Sequence, residues 1–211
     1  MNRIAYLITA ITRLLAYILF KLFFRLKVRG KENIPKSGGV LILANHASHL
    51  DPPLIGCTCP RHINFMARST LFEAPLFGRA ITILGAFPVK RGQADRGALK
   101  KTLKLLEEGE VVLIFPEGTR SKDGHLQKGL PGAGMLAFWA AEKGAKVIPA
   151  KIIGSFKAYP KGASFPGPAK IELIFGEPIK FDLQRENQKP KEIYKEAVNV
   201  VMERIGKLKE G

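Results

Sequence analysis

His46 and Asp51, within Asn45-His46-Ala47-Ser48-His49-Leu50-Asp51, set an imidazole and a carboxylate five residues apart. On a continuous helix that spacing separates them by about 140°, so they meet only if the chain turns between them. In that geometry Asp51 accepts from one imidazole nitrogen, fixes the tautomer and leaves the other nitrogen free to take a proton. A general base of this kind is worth about 10²–10⁴ in rate. The same residues also read as a helix-capping aspartate beside an exposed loop histidine, and His49 is the rival imidazole. Two further segments carry charge: Gly85-Ala86-Phe87-Pro88-Val89-Lys90-Arg91 and Phe115-Pro116-Glu117-Gly118-Thr119-Arg120-Ser121. In each, an apolar run empties into polar residues. Arginine forks match phosphate oxygens in bidentate fashion, and Gly118 lets backbone approach a ligand closely. Taken singly, either arginine also reads as solvated surface. Lys128, before a helix, reads as a solvated lysine or a further phosphate contact.

These residues need elements to position them. The run 39–45 (GVLILAN) has the look of a strand buried on both faces. A helix starting at Asp51, with Asp51 as its cap and Pro52 in its first turn, follows. Strands are expected at 82–91, 111–116, 145–154 and 169–179, and helices at 96–109, 132–144 and 191–208. Val147-Ile148-Pro149-Ala150, with a proline inside an apolar strand, suggests an edge position as readily as a contact role. Strands alternating with helices give an α/β fold, a mostly parallel sheet flanked by helices, whose ligands gather beyond the carboxyl ends of the strands. The informative residues fall there. Gly132-Ala133-Gly134-Met135-Leu136-Ala137 fits the dinucleotide pattern G-x-G-x-x-A, but the preceding strand ends too early and no acid-ended strand follows. Close helix packing is the reading preferred.

The chain has 211 residues, 34 Lys plus Arg against 18 Asp plus Glu, and a net charge of +16. Such a surplus points to anionic partners. At 46% hydrophobic, the chain has material for a core, which excludes wholesale disorder. Cys57 and Cys59 stand too close for an unstrained bridge and imply a reducing compartment. The four histidines lack ligand spacing such as H-E-x-x-H, so no metal site is expected.

Residues 1–31 hold seven basic residues and no acid. The apolar stretch 4–26 is interrupted by Arg13 and Lys21. On a helical wheel Arg3, Arg13, Lys21 and Arg25 fall within an arc of about 120°. That pattern suits an amphipathic helix lying in the interface, basic edge toward lipid phosphates. A single span and a helix packed on the protein are the alternatives. Either membrane reading puts the body on the cytoplasmic face. The expected organisation is a membrane-associating helical segment over 1–31 and an α/β domain over 32–211.

NHASHLD, GAFPVKR, FPEGTRS and VIPA, in that order over residues 45–150, resemble the lysophosphatidic acid acyltransferases of the glycerolipid acyltransferase family. The resemblance implies transfer of a fatty acyl group from a thioester, acyl-CoA or acyl carrier protein, to the free hydroxyl of 1-acyl-glycerol-3-phosphate, forming phosphatidic acid. It implies a catalytic pair at His46 and Asp51, and acceptor or phosphate binding by Arg91, Glu117, Gly118 and Arg120. Lys90 and Lys128 are added as phosphate-binding candidates. No cofactor beyond the thioester is implied. Lysophosphatidic acid, the thioester carrier and anionic membrane lipids are the expected partners, and nucleic acid is not. Direct transfer is favoured because no G-x-S-x-G elbow occurs and Ser155 lacks its second glycine. Cys57 reads as a small apolar helix residue. The same chemistry on glycerol-3-phosphate or another lysolipid, and a non-catalytic anionic-lipid binder, are the rival functions.

Overall fold

A computed structural model describes residues 3–90, 95–182 and 189–210, residues 3–5 by backbone alone. Arg91 therefore lies outside the described residues. In chain order the elements are α1 (Arg3–Phe24), β1 (Lys27–Arg29), β2 (Val40–Ala44), α2 (Asp51–Thr58), β3 (Ile63–Arg68), α3 (Pro75–Ile83) and β4 (Ala86–Val89). They continue with α4 (Arg96–Glu107), β5 (Val111–Ile114), α5 (Pro131–Glu142), β6 (Lys146–Ile153), α6 (Ser155–Ala158), β7 (Glu172–Phe175) and α7 (Pro190–Lys207). Single 3₁₀ turns occupy Lys31–Asn33 and Ser69–Phe72.

Among the described residues seven strands form one sheet, ordered β1-β7-β6-β2-β5-β3-β4. Five run parallel, from β6 to β4; β7 pairs antiparallel with β6, and β1 lies parallel to β7. The mostly parallel α/β architecture read from the alternation of elements is the one found. Strand β2 is at its centre and wholly buried. Its side chains alternate between two cores: Val40, Ile42 and Ala44 face α1 and α2, while Leu41 and Leu43 face α4, α5 and α7. Burial on both faces is why the run reads as continuously apolar.

Several elements differ from expectation. The stretch expected as a strand over 82–91 begins as the end of α3, turns at Gly85 (φ 97°) and is extended only at Ala86–Val89. Strand β3 and helix α3 are not among the expected elements: β3 is half-buried at three of its six positions, and α3 is only nine residues long. Strand β7 stops at Phe175, short of the expected 179, although Val147 and Ile179 still form an isolated bridge. Pro149 is not on an edge: β6 lies between β2 and β7. The Pro149 carbonyl accepts from Gly176 N at 2.8 Å, so its nitrogen, which has no hydrogen to give, faces the same side just past the end of β7. The sheet also begins earlier than the expected boundary, since β1 falls inside residues 1–31 and Arg29 pairs with buried Glu172 at 2.6 Å. In α5, Gly134 is packed so tightly that a Cβ would sit 1.9 Å from the Tyr194 carbonyl oxygen of α7. Gly134 thus serves helix packing, whereas a Cβ at Gly132 would meet nothing within 4 Å.

Helix α1 lies across the body. Thr9 Oγ1 donates to the Ile83 carbonyl near one end, and Phe24 O accepts from Ile171 N at the other. Between them Phe20 is buried in the core. Arg13 does not point to lipid: its guanidinium donates to the Cys59 carbonyl at the end of α2, because that carbonyl is an open acceptor at a helix end. Much of the rest of α1 is exposed and apolar, with Leu14, Leu22 and Phe23 prominent. From Tyr6 to Phe24 the helix is long and apolar enough to cross a membrane.

Candidate active site

The chain leaves β2 through Asn45, which extends the sheet with its side chain. Asn45 Oδ1 accepts from Ile152 N at 2.7 Å and Asn45 Nδ2 donates to Ile152 O at 2.9 Å. The backbone reaching His46 is thereby tied to β6 one residue past the ladder. Residues 46–50 then fold back before α2. Asp51 is the first residue of that helix and does not cap it; Leu50 occupies the cap position without a side-chain bond. Its carboxylate turns back on the preceding loop instead. Asp51 Oδ2 accepts from Ala47 N and Ser48 N at 2.7 Å each, and lies 2.8 Å from His46 Nδ1. An oxygen that only accepts requires the proton on Nδ1, so Nε2 is the nitrogen not engaged by Asp51. Both residues are buried, Asp51 completely.

The His46 backbone is held on both sides. Glu117 Oε1 accepts from His46 N at 2.9 Å, and Ser121 N donates to His46 O at 2.8 Å. The imidazole stacks on Phe115 with centroids 4.0 Å apart and planes 17° from parallel. Ser48 Oγ donates to Tyr159 O and accepts from Leu50 N, which closes the loop.

Residues 115–121 follow β5, the neighbour of β2, so both segments meet at the carboxyl end of the sheet. Glu117, expected among the acceptor-binding residues, is turned into the protein. Both its oxygens take backbone donors, from His46 N and from Gln127 N at 3.2 Å. Burial pushes its carboxyl above the ordinary glutamate range, against the lowering effect of those amides. Its place is that of a brace between two loops. Gly118 adopts φ 70°, and a Cβ there would stand 2.4 Å from Leu130 Cδ1. Arg120 is the anion-binding candidate the fold leaves ready: its Nη1 is buried and has no hydrogen-bond partner among the described residues. A buried guanidinium nitrogen without an acceptor is costly unless a ligand supplies one. Arg120 also acts on His49, whose imidazole is held below its ordinary range by burial first and then by Arg120 and His46. That disfavours the protonated form of His49. Lys90 and Lys128 have exposed side chains, the Lys90 amide donating to Asp95 Oδ2 at 2.9 Å.

An apolar cleft of about 260 Å³ opens beside this end of the sheet, lined by Met66, Leu99, Phe115, Met135 and Leu136, with Lys90 and Asp95 on its lining too. Phe115 thus touches both the cleft and the imidazole. Cys57 takes no part; burial pushes its thiol up to about 11. Sequence reasoning singled out His46, Asp51 and Arg120, which the fold brings to one place. It did not single out Phe115, Ser121 and Gln127, and it named Asn45 only in passing. Their contributions run through backbone groups or a ring face, which residue type does not reveal.

A family model described as Acyltransferase matches residues 25–153. The chain is 33% identical over 175 residues to a chloroplastic 1-acyl-sn-glycerol-3-phosphate acyltransferase of Arabidopsis thaliana, covering 80% of this chain and 48% of that protein. It is 35% identical over 156 residues to the 1-acyl-sn-glycerol-3-phosphate acyltransferase of Bacillus subtilis, covering 72% and 73%. The crystal structure of the 1-acyl-sn-glycerophosphate acyltransferase of Thermotoga maritima matches with a TM-score of 0.74 at 27% identity, covering 98% of this chain and 83% of that one. The chain spans about half the length of the chloroplastic relative.

Proposed function

The chain belongs to the acyltransferase family, and from that premise we propose that it moves a fatty acyl group from an acyl thioester to the sn-2 hydroxyl of 1-acyl-glycerol-3-phosphate, forming phosphatidic acid. The observation that carries the chemistry is the Asp51 oxygen that accepts from two loop amides and His46 Nδ1 together. Nε2 of His46 takes the proton of the acceptor hydroxyl, and that oxygen attacks the thioester carbonyl carbon. The carbon–sulfur bond then breaks, and the imidazolium returns the proton to the departing sulfur, which leaves as a thiol. Asp51 stabilises the imidazolium in between. No acyl group is carried by the protein. Arg120 offers its unpartnered Nη1 to an anionic oxygen of the substrates, and Arg91 is assigned to the acceptor phosphate on its motif alone. The names of the relatives support the acceptor.

The apolar outer side of α1 is the part that meets the bilayer, on the cytoplasmic face where thioesters are made. Anionic lipids suit the charge of +16. The deciding assay mixes purified full-length protein with lysophosphatidic acid and either acyl-CoA or acyl carrier protein thioester, and follows phosphatidic acid by mass spectrometry. Product with at least one donor, lost in His46→Ala, is expected. Turnover that survives His46→Ala overturns the mechanism, and product only from glycerol-3-phosphate or from an unphosphorylated lysolipid overturns the acceptor.

A further inference from the structure

Helix α3 is held at the outside of the sheet with almost none of its own surface covered. Among its residues Gly78 alone is buried, where a Cβ would sit 2.8 Å from the Phe72 carbonyl oxygen. Leu76 is 84% exposed and Phe77 52%, and Leu71 and Ile83 are exposed as well. Leu76, Ala80 and Ile83 follow one another at i, i+4 and i+7, which aligns them along one side of the helix. Large apolar side chains grouped in this way on a surface mark a contact.

Two observations identify the contact. The first is continuity. Ile83 O, at the end of α3, accepts from Thr9 Oγ1 of α1 at 3.3 Å, so α3 abuts the helix that carries the exposed apolar side chains Tyr6, Leu7, Ile11, Leu14 and Leu22. The second is charge. Arg79 is the one charged residue of α3 and is exposed, and on α1, where Arg13 is turned onto the Cys59 carbonyl, Lys21 is the exposed cation among the described side chains. Neither helix carries an acid, and Glu73, between the turn Ser69–Phe72 and α3, is the one acid of the joined segment. Two copies of this chain meeting through that face would oppose like charges, whereas a phospholipid surface offers acyl chains to the apolar residues and phosphates to the cations.

We propose that α3, with the turn Ser69–Phe72 before it, is a second bilayer-inserting element beside α1. The inference rests on the reading that α1 meets a membrane. It adds a geometric consequence: the turn Ser69–Phe72 follows β3 at the carboxyl end of the sheet, where His46 and Arg120 lie. Contact through α3 carries the bilayer from α1 toward the end of the molecule where a lipid hydroxyl must arrive.

The test uses full-length protein and vesicles of phosphatidylcholine and phosphatidylglycerol. In a Trp139→Phe background, Leu76→Trp places the sole indole on α3. Vesicles with acyl-chain-brominated lipids are expected to quench it and vesicles without bromine to shift its emission to the blue. In parallel, Leu76→Glu with Phe77→Glu is expected to weaken vesicle partition about tenfold or more, as two lost apolar contacts imply, while turnover on substrate in detergent micelles stays near that of the parent. Absence of quenching overturns the proposal. So does unchanged partition together with a change of oligomeric state in sedimentation, which would assign the face to a second copy. If the double variant fails to fold, the quenching result decides alone. Loss of micellar turnover in the parent would fell the acyltransferase reading and leave the quenching measurement intact.

Discussion

Asp51→Asn separates steering of an imidazole from mere loop closure. The oxygen at the Oδ2 position faces two amide donors at 2.7 Å, so the asparagine seats its carbonyl oxygen there and presents the same acceptor to His46 Nδ1. Geometry and tautomer survive; the negative charge does not. At 2.8 Å and an effective dielectric of about 20, a carboxylate and an imidazolium attract by about 6 kcal/mol. The amide dipole keeps part of that, leaving about 3–5 kcal/mol to be lost from the transition state. At 1.36 kcal/mol per decade, kcat falls about 10²–10⁴-fold. The KM for the acceptor should stay nearly constant, because the lost interaction arises only once the proton has moved. Three hydrogen bonds weakened from charged to neutral also cost stability, about 1–2 kcal/mol in total after the partners relax. The assay is phosphatidic acid formation at saturating acceptor and donor, with circular dichroism on the same samples. A folded Asp51→Asn protein that keeps kcat within tenfold of the parent would refute the reasoning, as would a loss carried wholly by KM.

Glu117→Gln should lower kcat by about tenfold with acceptor KM unchanged, since Glu117 braces the His46 amide and an uncharged side chain can satisfy only one of its two amide donors; a KM effect alone would make it an acceptor ligand. The same variant has a pH signature. Burial raises the Glu117 carboxyl above its ordinary 4.5, so the folded state holds that proton more tightly than the unfolded state. The stability this contributes is complete below 4.5 and is lost as pH rises through the folded value. Relative to Glu117→Gln, the parent should therefore lose stability as pH climbs from the ordinary glutamate range, measured by urea unfolding at several pH values. His49→Gln should fall well short of the loss of about 100-fold expected for a general base; a comparable loss would make His49 the proton acceptor. Gly118→Ala, at φ 70° and 2.4 Å from Leu130 Cδ1, should cost about 1–3 kcal/mol, and an unshifted melting temperature would show that Leu130 simply gives way.

The central strands were legible in the sequence because burial on both faces leaves an unbroken apolar run, as in Val40–Ala44 and Val111–Ile114. Toward the sheet's ends that signal fades. Lys27–Arg29 alternates charged with apolar, and Ile63–Arg68 is only half-buried at Asn64, Phe65 and Met66. Of the site, the side chains that do chemistry stood out by type and spacing, and the turn between His46 and Asp51 followed from their angular separation. The direction of the Asp51 carboxylate did not. An aspartate before two prolines reads as a cap, and only the fold shows that the amides it serves belong to the loop before the helix. Glu117 illustrates the same gap: a carboxylate in a polar turn suggests substrate, while two backbone amides 10 residues or more away along the chain claim both its oxygens.

The pairing of β1 with β7 limits how this protein can be released from lipid. Shortening the chain to residue 32 would strip β7 of its outer neighbour, bare a row of backbone donors and acceptors on an apolar strand, and take Arg29 away from Glu172. Such an uncovered margin invites aggregation. Trimming only through residue 24 spares the strand yet empties the place of Phe20 in the interior. Water solubility is better sought by exchanging Leu14, Leu22 and Phe23 for polar residues, which alters the helix where it is most exposed and keeps it as a strap across the body.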